Sequence, residues 1–330
     1  MSNAPAPRPG PAGQSLIERA ADVYDFGAHF RARPAEPRHT FLDDAPPAPP
    51  GAETLSPAAA ATLAAIPLEL RDFTAPAEDD WRVPDGIARI DRVMLAERGM
   101  LVPGAPIGAL AEEFRLVKRQ LLLNARMIAA AAPERRARAI LVGSGKPGEG
   151  KTFCAINLAI SLAAEKDVEV LLIDADFAKP DVMALLGLEE TTGLLDILAD
   201  PALDPETFVV RTDVPQLSLM PAGARSHVDT ELLASARTPQ VLDRLLAANP
   251  QRIIVFDSPP ALAASPASVL ALLVAQVMLV VRADRTTEND VRDAVGLLDG
   301  CEHISLVLNA TSYQPDHGRF GSYYGTEQRS

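Results

Sequence analysis

The stretch Ile140-Leu-Val-Gly-Ser-Gly-Lys-Pro-Gly-Glu-Gly-Lys-Thr152 leaves this chain little choice of fold. An apolar run, Ala139 to Val142, enters a loop that holds Gly143, Gly145, Gly148 and Gly150. A helical pattern follows, with Phe153, Ile156, Leu158, Ile160 and Leu162 as its apolar members. Gly145 to Thr152 satisfies G-x-x-x-x-G-K-[ST], the phosphate-binding loop between a strand and a helix. Glycines let backbone N–H groups turn inward and approach phosphate oxygens without a Cβ in the way. The helix that follows offers its unpaired N–H groups and positive dipole end to the same anion. Lys151 is placed to reach the β- and γ-phosphates, and the Thr152 hydroxyl to ligate Mg²⁺. Gly145, Lys146, Pro147, Gly148, Glu149, Gly150, Lys151, Thr152 and Phe153 are the candidate nucleotide-binding residues.

Around this loop, strands alternate with helices. Strands are expected at 168–173, 217–220, 252–256, 276–282 and 304–308, and helices at 181–187, 193–199, 231–235, 240–248, 267–274 and 287–298. That alternation predicts an α/β fold: a doubly wound, mainly parallel sheet of the P-loop NTPase type, with helices on both faces. In such sheets ligands sit beyond the carboxyl ends of the strands. Asp174, Asp176 and Asp257 fall there, each after an apolar run. Carboxylates beside Mg²⁺ and phosphate ligate the metal directly or through water, or take a proton from an attacking hydroxyl.

The remaining chain reads as appendages to this domain. Residues 1–86 open Pro- and Ala-rich, with 14 of the 29 prolines before residue 85. A short helix is expected near 15–30, from the capping-box pattern Ser15-Leu-Ile-Glu18, and the rest as a mobile linker. The phosphate-loop domain is expected over 87–310, beginning with a helical stretch near Ile87–Arg98. A long helix should run from about Pro106 to Ala131. Its apolar stripe is Leu110, Phe114, Val117, Leu121 and Leu122, and Glu112, Arg115 and Lys118 or Arg119 form a polar side. Residues 311–330 read as a flexible tail that holds three of the four tyrosines. The stretch from Ser258 to Val281 has no charge, but its three prolines and its place in the βα alternation argue against a membrane span. A net charge of −13 and a pI near 4.9 argue against nucleic-acid binding. Cys154 and Cys301 lack metal-site spacing and fit reduced, packed thiols.

Three motifs carry a resemblance. Pro147-Gly-Glu-Gly-Lys-Thr152, Leu171-Leu-Ile-Asp-Ala-Asp176 and Ile253-Ile-Val-Phe-Asp-Ser-Pro-Pro260 resemble the Walker A, A′ and B motifs of bacterial tyrosine kinases. Those are P-loop autokinases of polysaccharide synthesis and export, in the deviant-Walker group with the partitioning ATPases. Ser15-Leu-Ile-Glu-Arg-Ala20, Glu112-Glu-Phe-Arg115, Asp174-Ala-Asp-Phe-Ala-Lys-Pro180 and Thr230-Glu-Leu-Leu-Ala-Ser235 are similar to the exosortase-associated members. The resemblance implies ATP and Mg²⁺ as cofactors. It implies Lys151 and Asp174 as catalytic residues, Asp174 as base for a tyrosine hydroxyl, and Thr152, Asp176 and Asp257 as metal ligands. The division of roles among the three aspartates stays open. It further implies an oligomeric ring through Glu112, Arg115 and Lys118, and an adenine contact from Asn309. Its Lys146 matches the partitioning ATPases' signature lysine, which reaches a partner's nucleotide.

The function implied is ATP-dependent autophosphorylation of C-terminal tyrosines in trans, Tyr323 and Tyr324 ahead of Tyr313. The implied partner is the cytoplasmic segment of a membrane polysaccharide copolymerase, and the implied location the inner face of the membrane. The alternatives are a positioning ATPase of the partitioning type and a non-catalytic ATP-binding adaptor. A positioning ATPase would end in a basic amphipathic helix. This chain ends instead in a Gly-rich segment without an apolar stripe.

Overall fold

Runs such as Val170-Leu-Leu-Ile173 and Ile253-Ile-Val-Phe256 are apolar on both alternating faces, and that pattern requires a sheet covered on both sides. A computed structural model describes residues 86–131, 137–224 and 229–311 and shows that arrangement. The strands are β1 (Ile87–Ala88), β2 (Ala139–Ser144), β3 (Glu169–Asp174), β4 (Val210–Thr212), β5 (Leu217–Met220), β6 (Arg252–Asp257), β7 (Gln276–Arg282) and β8 (Ile304–Asn309). They form one sheet in the order β1-β4-β5-β3-β6-β2-β7-β8. Every pairing is parallel except β4 with β5.

The helices are α1 (Arg92–Glu97), α2 (Ala109–Ala131), α3 (Lys151–Ala163), α4 (Val182–Leu185), α5 (Leu194–Ala199), α6 (Asp229–Leu233), α7 (Arg237–Ala248), α8 (Pro266–Ala271) and α9 (Glu288–Leu297). Alternation along each strand sorts its residues to two cores. Ile140, Val142, Val170, Leu172, Val255 and Met278 pack with α1, α2 and α3. Leu141, Leu171, Ile173, Ile254, Phe256 and Leu279 pack with α5 and with α7 to α9. The helix α3 is sandwiched between the sheet and α2, and Cys154 through Ala163 are all buried.

Two expectations are corrected, and one short strand is unanticipated. The segment read as a helix over Ile87–Arg98 splits into β1 and α1. Asp91 divides them: its carboxylate accepts the N–H groups of Val93 and Met94, both at 2.9 Å, and caps α1 from an extended conformation. The three-residue strand β4, Val-Arg-Thr, which lies between β1 and β5, is too short for periodicity to reveal. The long helix α2 begins at Ala109 rather than Pro106. The expected helix at 15–30, the linker and the tyrosine tail lie outside the described residues.

Candidate functional site

Strand register brings the carboxylates together. On one side of β6 Asp257 lies opposite Asp174, and on the other it lies opposite Val142, just before the loop that links β2 to α3. All three aspartates are buried, Asp174 and Asp257 at 0% exposure and Asp176 at 4%. Three carboxylates in so little water must find donors, shed charge or meet a cation.

Each of them does so differently. Asp174 accepts the Asp176 N–H at 3.1 Å and the Val182 N–H at 3.0 Å. Burial, then the charge of Asp257, nevertheless pushes its pKa up to about 8 against those two bonds. Asp176 pairs with the Lys151 ammonium at 2.6 Å. Asp257 has no hydrogen-bond partner on either oxygen among the described residues. Its burial pushes it up to about 7, although Lys151 draws it partly back. The Thr152 hydroxyl lies near enough to do the same, without meeting hydrogen-bond geometry. Burial opposes the charge on Lys151, but Asp257, Asp176 and Asp174 together outweigh it and hold that lysine above its usual pKa.

The loop itself is turned with its carbonyls outward. Gly145 O accepts from Leu262 N at 3.0 Å and Lys146 O from Ser144 Oγ at 3.0 Å. Gly148 O accepts from Arg282 Nη1 at 2.8 Å and Glu149 O from Asn309 Nδ2 at 2.9 Å. Gly148 and Gly150 hold φ of +79° and +96°, conformations that other residues rarely adopt. No protein acceptor takes the N–H groups of Gly150, Lys151 or Thr152 among the described residues. This is an anion cradle with a lysine at its mouth and carboxylates opposite.

The AAA domain family matches residues 137–290, which span the loop and all three aspartates. The chain is 28% identical over 241 residues to the tyrosine-protein kinase YwqD of Bacillus subtilis (strain 168), covering 72% of this chain and 96% of that one. It is 30% identical to the solved BceF tyrosine kinase domain, with a TM-score of 0.50, 59% of this chain covered and 76% of that one. The chain belongs to the bacterial tyrosine kinases. It is also 30% identical over 245 residues to the succinoglycan biosynthesis transport protein ExoP of Rhizobium meliloti (strain 1021), 72% of this chain, but it spans only 30% of ExoP's length.

In this kinase the structure gathers Lys151, Thr152, Asp174, Asp176 and Asp257 at one place, as their positions after the strands require. Lys146 is engaged within its own chain. Its ammonium pairs with Asp290 of α9, which also accepts from Thr287 in the capping box of that helix. Lys146 and then Thr287 hold the Asp290 carboxyl down at about 2. Asn309 stands at the end of β8 with its amide against the loop.

On α2 the sequence expectation is corrected at Lys118, which does not share an exposed side with Glu112 and Arg115. At about 100° per residue, Lys118 lies about 120° around the helix from Glu112, whereas Arg119 lies almost above it. Lys118 is buried, donates to Ser161 O at 2.8 Å and pairs with Glu165 at 2.7 Å, where a cation suits the C-terminal end of α3. Glu112 and Arg115 pair with each other in solvent, and Arg119 is exposed.

Arg282, Thr286 and Asp290 escaped the sequence reading. The available signal was position: Arg282 ends the strand beside β2, so the turn after it must lie against the phosphate loop. Tyr313, Tyr323 and Tyr324 lie outside the described residues. No described helix is long and apolar enough to cross a membrane.

Proposed function

We propose that the chain is an ATP- and Mg²⁺-dependent autokinase that phosphorylates its own C-terminal tyrosines in trans. The observation that carries this reading is the buried carboxylate cluster facing Lys151, with both oxygens of Asp257 free of any donor. Two orphaned anionic oxygens beside a threonine hydroxyl fit a hard cation. Among the described residues, no cluster of three His, Cys, Asp or Glu side chains could hold a metal by itself. The cation therefore suits a site completed by phosphate oxygens, with Thr152, Asp257 and Asp176 as the protein's contributions. Bound Mg²⁺ would neutralise charge on the phosphates.

The chain's own groups perform the remaining tasks. The N–H groups of the loop orient the phosphates. Lys151 leaves Asp176 for the transferring phosphoryl group and stabilises its developing charge. Asp174 takes the tyrosine hydroxyl proton; a carboxyl lifted toward neutrality is matched to that transfer.

The exposed face of α2, with Glu112, Arg115 and Arg119 beside Leu116, Leu123 and Met127, is the surface we assign to packing against a second copy in a ring. By likeness to ExoP, the pathway is exopolysaccharide synthesis or export. A cytoplasmic segment of a membrane copolymerase is the partner that would hold the kinase at the membrane.

The test is phosphotyrosine mass spectrometry on purified protein with Mg-ATP, alongside Lys151→Met. Phosphate on the tail tyrosines of the wild type, absent from a folded Lys151→Met, is the expected outcome. ATP hydrolysis without any phosphotyrosine would replace this reading with a positioning ATPase.

A further inference from the structure

We propose that Asn309, seconded by Arg282, is a positioning residue that keeps the phosphate loop open to an anion by holding its carbonyls outward. The proposal rests on reading residues 145–153 as the nucleotide phosphate site. It gives Asn309 a role other than contact with the base.

All described peptide bonds are trans, so each carbonyl points opposite to the N–H of the next residue. Asn309 Nδ2 binds Glu149 O at 2.9 Å, and that bond turns the Gly150 N–H inward. Arg282 Nη1 binds Gly148 O at 2.8 Å, and that bond turns the Glu149 N–H inward. The Asn309 amide is fixed in this sense, because its Oδ1 accepts the Ala310 N–H at 2.8 Å.

The approach of Asn309 is close enough to dictate the loop's sequence. A Cβ on Gly150 would meet Asn309 Nδ2 at 2.1 Å, and the residue's φ of +96° excludes most side chains independently. Arg282 is tied down in turn. Its N–H donates to Thr286 Oγ1 at 3.0 Å, and that hydroxyl bonds the Glu149 carboxylate. The other Glu149 oxygen accepts the Lys146 N–H at 2.8 Å. A carboxylate inside a phosphate loop would repel a nucleotide if it turned inward. Here both of its oxygens are engaged by protein donors and the residue is 4% exposed. The ends of β7 and β8 thus act on the phosphates through the loop, without touching them.

The experiment is isothermal titration of the full chain, with Mg²⁺ present, using ADP and inorganic pyrophosphate as separate ligands. Asn309→Leu removes the donor at similar volume and adds no charge. Asn309→Ala is the second variant should leucine not be accommodated. The expected result is an equal loss for both ligands, about tenfold, as for one hydrogen bond that sets a binding geometry. Arg282→Leu should also weaken both. The KM for ATP should rise by the same factor, while kcat stays within about threefold, since Lys151 and the aspartates are untouched.

A loss confined to ADP would make Asn309 a base contact and overturn the proposal. Unchanged affinity for both ligands would overturn it as well. Failure of the wild type to bind either ligand would overturn the phosphate-site reading itself, and the proposal with it.

Discussion

Replacing Asp257 with asparagine should stabilise the metal-free protein and weaken its response to Mg²⁺ with ADP. Burial pushes this carboxyl from 3.8 up to about 7, so the folded chain keeps a proton that the unfolded chain has released. The stability linked to that proton is fully present below about pH 4 and is lost as pH rises through about 7. A difference of that size corresponds to roughly 4 kcal/mol once both states are ionised. Relaxation and water penetration lower the real penalty, and the new amide must also find acceptors. We therefore expect about 1–3 kcal/mol, or roughly 3–9 °C in thermal midpoint at pH 8. The assay is thermal unfolding of wild type and Asp257→Asn in EDTA at pH 5 and pH 8, repeated with Mg²⁺ and ADP. The wild type should lose more stability than the variant between the two pH values, and the variant should melt higher at pH 8. Ligand should raise the wild-type midpoint and move the variant far less. A variant that melts below the wild type at pH 8 without metal would show that Asp257 is not an uncompensated buried charge, and the reasoning would fail.

Further predictions concern α2 and the tail. Glu112→Ala with Arg119→Ala should reduce assembly mass by light scattering and leave the thermal midpoint nearly unchanged. Lys118→Ala should instead lower the midpoint by the equivalent of about 1–2 kcal/mol, because it loses a charge-assisted bond to Ser161 O and a half-exposed pair with Glu165. If Lys118→Ala changes mass and not midpoint, our placement of it is wrong. Tyr323→Phe with Tyr324→Phe should remove most phosphotyrosine measured by mass spectrometry. Wild-type phosphate levels in that variant would move the acceptor elsewhere, and exclusive labelling of Tyr24 would place it near the N-terminus.

Much of the site is legible in the sequence, because its chemistry is local along the chain. Gly145 to Thr152 is one continuous turn whose glycines and lysine sit at fixed offsets from a strand and a helix. Asp174, Asp176 and Asp257 follow apolar runs, and a parallel sheet places all its strand ends on one edge. What the sequence could not fix depends on neighbours distant along the chain. The register of β3 on β6 sets Asp174 directly against Asp257 in the buried middle of the sheet edge. Burial, which only the packed fold supplies, is the main cause that lifts both carboxyls, and the charge of Asp257 adds to it at Asp174. Lys118 reads as a surface lysine until α2 is docked with its flank on the end of α3. Lys146 reads as a free cation until α9 brings Asp290 to it. The strands β1 and β4 are too short to show a period, and they exist because β4 pairs with β5 and β1 then pairs with β4. The outward turn of the loop's carbonyls belongs to the same class. Gly150 is visible in the sequence and its φ of +96° already favours glycine, but the second constraint on it, the close approach of Asn309, comes from a residue 159 positions further on that only the sheet brings near.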